Sequence, residues 1–173
     1  IFLAECLLTD FLEWWYNKIE VTIMSCTVPK ADFQKAENLA SDILKKYCIE
    51  QPPVVAKELA ELYRLNVVPV NFAQINPMYS TISGFIDIKT NRLFVNSNES
   101  AVRRNFTIAH ELGHYLLGHT SSSEYANLLF RRPLEEQEDP IIEQEANCFA
   151  GNLLVPEIFL KEVIQKYPFA ISG

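Results

Sequence analysis

The run His110-Glu111-Leu112-Gly113-His114 constrains this chain more than any other stretch of it. Residues four apart lie on one face of an α-helix, so the two imidazoles can reach a single ion only if the backbone here is helical. The surrounding segment, ESAVRRNFTIAHELGHYLLG, has the apolar spacing of such a helix. Asn98 or Ser97 is available as its N-cap and Gly118 marks its end. Glu111 falls beside the pair, placed to touch a water that a bound ion would polarise. The plainer alternative is a helix whose two histidines serve packing and hydrogen bonding; the well-formed helical setting speaks for the metal.

A catalytic zinc site takes three protein ligands and keeps a fourth position open. The longer pattern H-E-x-x-H-x-x-G-x-x-H is absent, because Leu117 and Thr120 stand where its glycine and third histidine would be. His119, nine positions past His110, points to the opposite side if the helix continues, and reads as a helix-terminal histidine near the negative dipole end. The better source is the helix that starts at Asp139-Pro140. There Glu143 shares a face with Ala146, Asn147 and Ala150, while Glu145 points about 200° away. The alanines permit close approach to the histidine helix, and Asn147 can fix a ligating imidazole by a hydrogen bond. Glu143 is therefore the expected third ligand, with Glu145 as the alternative. Two imidazoles, one carboxylate and an open position suit zinc, one ion per chain, with manganese as a substitute. Tyr115, His119 and Tyr125 are the open choices for a group that stabilises an oxyanion.

Elsewhere the pattern reads as α+β. Phe33, Ala36, Leu39, Ala40, Ile43, Leu44 and Tyr47 mark one amphipathic helix, broken by Pro52 and Pro53, and a second runs from Val55 to about Leu65. VVPVNF, ISGFIDI and RLFVN read as three strands, the last two joined by the turn-prone KTN. Residues 119–139 are polar and irregular, and Pro156 opens a last helix to about Tyr167. One domain is expected over 24–173, starting at Met24. Residues 1–23 read as an N-terminal extension, an amphipathic helix in which Glu5, Asp10 and Glu13 argue against a leader or membrane anchor.

Composition narrows the function classes. At 49% hydrophobic and 21% charged residues the chain has the balance of a soluble globular protein. Its net charge of -7, with no basic run, argues against holding nucleic acid through phosphates. The four cysteines are scattered without a C-x-x-C pair, as expected of reduced thiols in a cytoplasmic protein.

The stretch RNFTIAHELGHYLLGH, followed after a variable loop by EQEANCFAGNLLVP, resembles the ImmA/IrrE family of metallopeptidases. The strand pair containing Gly84 and Leu93-Phe94-Val95-Asn96 fits the same layout. The likeness covers about Ala31 to Pro156, and nothing before Met24 matches. It implies a compact zincin-like fold with a small mixed β-sheet packed on helices and a His, His, Glu zinc site. The family's third ligand, the Glu of E-x-x-A-N, falls on Glu143. It also implies an endopeptidase acting on a helix-turn-helix repressor of a mobile element or stress operon. A rival reading is a non-catalytic regulator, or a toxin-antitoxin or phage module, working through protein-protein binding. The presence of Glu111 beside an open metal position counts against it.

Overall fold

Asp32 starts the first helix of the folded unit. Its carboxylate accepts the Lys35 N–H at 2.9 Å and caps α1, Phe33–Lys46. This is a computed structural model, and it describes residues 30–119 and 140–166, with side chains through 161. Ile1–Lys30 and Ala31–Gly173 are separate units, and the fold below belongs to the second. The expected helix over residues 1–23, the irregular segment after His119, and Tyr167, the expected end of the last helix, lie outside the described residues.

Helix α1 buries Ala36, Ala40, Ile43 and Leu44, the face that its spacing predicts. Helix α2, Ala56–Leu62, is shorter than the expected Val55–Leu65 because the chain turns at Arg64, whose φ is 63°. Three strands follow: β1 (Asn66–Val70), β2 (Gly84–Asp87) and β3 (Arg92–Asn96). They form a mixed sheet in the order β1-β3-β2, with β1 parallel and β2 antiparallel to β3. Among the described residues both β1 and β2 are edges.

VVPVNF is strand only as far as Val70. Asn71 then accepts the Gln74 N–H and caps a one-turn helix, α3 (Phe72–Ile75), followed by a 3₁₀ turn over Pro77–Thr81. The cap of the motif helix also differs from expectation. The Ser97 N–H is still bonded to Val70 in the sheet, and the Asn98 side chain donates to Asn71 Oδ1. Ser100 is the residue that caps α4, Ala101–Leu117. Asn105 on that helix secures the start of α2, accepting from Ala56 N–H and donating to the Val54 carbonyl, each at 2.9 Å.

Helices α5 (Pro140–Leu154) and α6 (Glu157–Lys166) complete the described unit. α5 packs on both α4 and α1. Leu65, Leu93, Leu112, Cys148, Phe149 and Leu153 are sealed in the resulting core. Among the described residues no helix is long and apolar enough to cross a membrane.

Candidate metal centre

The centre exists because α4 and α5 come unusually close. A Cβ on Gly113 would stand 2.8 Å from Phe149 Cδ1 and 3.4 Å from Ala146 Cα, so glycine at this position of the motif is a packing requirement. Ala146 and Ala150 are fully buried on the facing side. This contact brings Glu143, in the first turn of α5, opposite His110 and His114. His110 Nε2 lies 3.2 Å from Glu143 Oε2, and His114 Nε2 lies 3.0 Å from Glu143 Oε1. The two Nε2 atoms are 2.9 Å apart. One ligand atom from each of the three residues falls within 4.8 Å of the others, a group that could hold a metal ion.

The donor set fits such an ion. His110 Nδ1 is 3.0 Å from Asn147 Oδ1, a carbonyl oxygen that can only accept, so the ring proton sits on Nδ1. The Nε2 lone pair is thereby turned toward a carboxylate, an arrangement that needs a cation between them: a metal ion, or a second proton on the ring. The titration behaviour reflects the same pairing. Burial pushes the Glu143 carboxyl up, but hydrogen bonds from His110 and His114 overcome it and hold the group at about 2. Burial also pushes His110 down. The hydrogen bond to Glu143 and the charges of Glu111 and Glu143 outweigh that and raise it above its ordinary value.

Glu111 stands next to His110, half-buried, and its charge is felt there, yet it is not part of the ligating group. Glu145 is outside that group too, as its place on the wheel predicts, but it is far from a solvated bystander. Its Oε2 lies 2.9 Å from His119 Nε2 and its Oε1 accepts the Asp32 N–H at 2.7 Å. His119 stands just past the end of α4, as its helix-terminal reading has it, but it does not point away from the centre. Its expected outward direction assumes that the helix continues. Instead Gly118, at φ 83°, ends α4 in the left-handed region, and the chain reverses. His119 Nδ1 then comes to 3.1 Å from His114 Nδ1. The signal was present in Gly118 as a helix stop. With both ring nitrogens engaged, His119 has none to offer an oxyanion. Burial, only partly offset by the bond to Glu145, lowers its pKa. Tyr115 is half-buried on α4, and Tyr125 lies outside the described residues.

Residues 65–168, from the last residue before β1 past the end of α6, match the model of a peptidase family described as the IrrE N-terminal-like domain. The chain belongs to this family. The matched span of the IrrE N-terminal-like domain contains all of the sheet and both helices that meet at the centre. Uncharacterized immunity region protein 2 of Bacillus phage phi105 is 32% identical over 117 residues, covering 66% of this chain and 65% of that protein. Metallopeptidase ImmA of Bacillus subtilis (strain 168) is 24% identical over 107 residues, covering 62% of this chain and 57% of that protein. The chain thus spans somewhat less than two thirds of the length of either relative.

Proposed function

We propose that this chain is a zinc-dependent endopeptidase in which His110, His114 and Glu143 hold the ion and Glu111 is the general base. The observation that carries the proposal is the convergence of two imidazole Nε2 atoms and one carboxylate on a single point, with Glu111 one residue from the first histidine. Family membership, and the metallopeptidase name borne by one relative, support the same reading. When bound, the ion acts as a Lewis acid, making water a nucleophile near neutral pH and polarising the scissile carbonyl. Glu111 takes the proton from the attacking water as its oxygen bonds to the carbonyl carbon. It then delivers that proton to the amide nitrogen as the C–N bond breaks, which leaves one new carboxyl and one new amine. Asn147 holds the His110 ring in the tautomer this requires.

An extended substrate would add by backbone hydrogen bonds to β2, an edge strand among the described residues. Gly84 on that strand is pressed against α4, where a Cβ would stand 2.6 Å from Thr107 Cγ2, and Thr107 is one turn before Glu111. The substrate we assign is a repressor of the helix-turn-helix class. A relative named for a phage immunity region supports it, as does the net charge of -7, which suits a basic partner. Metal content tests the proposal at its base. Native mass spectrometry should find close to one zinc per parent chain, and His110→Ala and Glu143→Gln should each lose it. Full occupancy in both variants would refute the ligand set.

A further inference from the structure

We infer that His119 and Glu145 form a positioning pair that fixes which nitrogen of His114 faces the metal. The inference rests on the proposed centre for its consequence, though not for its geometry. His114 has no asparagine of the kind that serves His110. Its Nδ1 instead lies 3.1 Å from His119 Nδ1, and two imidazole nitrogens at that distance share one hydrogen, which either ring could supply. The direction is set at the far end of the chain. His119 Nε2 is 2.9 Å from Glu145 Oε2, and an ionised carboxylate only accepts, so this nitrogen must carry the proton. A neutral ring holds one proton. His119 Nδ1 therefore accepts from His114 Nδ1–H, and the His114 Nε2 that faces Glu143 is the nitrogen left to bind the ion.

Glu145 is itself held. Its other oxygen accepts the Asp32 N–H at 2.7 Å, at the point where α1 begins. Its side chain is 12% exposed and that of His119 7%, so water does not compete freely for either. Three successive hydrogen bonds thus run from the start of α1 to the ring that faces the centre. Both imidazoles end in the same tautomer by different means: a carbonyl oxygen on Asn147 for His110, and a histidine polarised by a carboxylate for His114. Metal-ligating histidines commonly need such a partner on the second nitrogen, and its loss lowers metal affinity roughly 10- to 100-fold.

Three substitutions separate this role from simple packing. Glu145→Gln keeps size and both contacts but reverses the polarity. The amide oxygen stays with the Asp32 N–H and the amide NH₂ donates to His119 Nε2. His119 Nδ1–H then donates to His114 Nδ1, which is left without a proton. His119→Ala removes the partner, whereas His119→Asn places an acceptor oxygen close to where the ring Nδ1 was. Two readouts apply: zinc affinity by competition with a chromophoric chelator, and the protonated nitrogen of His114 by ¹H–¹⁵N NMR of the metal-free protein. Glu145→Gln and His119→Ala should each weaken zinc binding by roughly 10- to 100-fold, with His119→Asn recovering most of the loss. His114 should carry a proton on Nδ1 in the parent and in His119→Asn, and none there in Glu145→Gln. An unchanged affinity and an unchanged tautomer in Glu145→Gln would overturn the inference. Should the parent itself fail to bind zinc, the metal reading falls, and the NMR comparison still decides the role of the pair.

Discussion

Glu143 and His110 each favour the other's charged form in the metal-free molecule, and that pairing determines how the centre answers acid. The Glu143 pKa falls from 4.5 to about 2 on folding, so its contribution to stability is complete above 4.5 and is lost as pH drops toward 2. His110 is raised above 6.5, so its contribution is complete below 6.5 and disappears as pH rises through its folded value. The metal-free protein therefore gains most from this pair between pH 4.5 and 6.5. Metal binding runs the other way, because the ion competes with a proton for His110. Lowering the pH from 8 to 5.5 should strip the ion, by up to about tenfold in affinity per pH unit for each proton displaced, and leave the chain folded. Thermal melts of loaded and metal-free protein across that range check this: the gap between their melting temperatures should close as pH falls. A gap that widened with acid would mean that His110 is not a ligand.

The approach of α4 and α5 is the structural condition for everything at the centre, and Gly113 is where it can be tested. In Gly113→Ala the new methyl meets the ring of Phe149, which is sealed in the core, so the helices must part or the ring must move. An overpacking cost of about 1–3 kcal/mol should outweigh the roughly 1 kcal/mol that alanine gains over glycine within a helix. Urea denaturation should show a lower midpoint than the parent, and the chelator assay a weaker metal site, since Glu143 rides on the helix that is displaced. This contact was readable in advance from Ala146 and Ala150 on the Glu143 face, as were α1, β3 and α4, whose periodic residues state their own element. Short elements were not. The four residues of α3 and the five of the 3₁₀ turn hold no period, and Phe72 looked like a continuation of VVPV until Asn71 proved to be a cap. The N-terminal boundary of α4 falls two or three residues later than expected because sheet pairing at Ser97 holds the chain, which no local preference encodes. His119 and Glu145 were hidden for a different reason: their meeting depends on a reversal at Gly118 and on residues 26 apart in sequence.

Across the whole molecule, chemistry and recognition draw on different parts. The ion site and Glu111 lie on two helices packed together, of which α4 also lies against the sheet, whereas an extended substrate would meet backbone on the β2 edge and a surface carrying net negative charge. A substitution confined to the base should therefore separate cleavage from both metal and partner. Glu111→Gln keeps the side-chain size, changes none of the three ligating residues, and leaves β2 as it is. The decisive experiment incubates zinc-loaded parent and Glu111→Gln with a purified repressor of the proposed helix-turn-helix class and follows fragments by mass spectrometry. The parent should yield discrete fragments in a chelator-sensitive reaction. The variant, with its zinc retained and its affinity for the repressor intact, should cleave roughly 10²-fold more slowly or less. Cleavage at the parental rate by the zinc-loaded variant would contradict the assignment of Glu111 as the base, and with it the proposed mechanism.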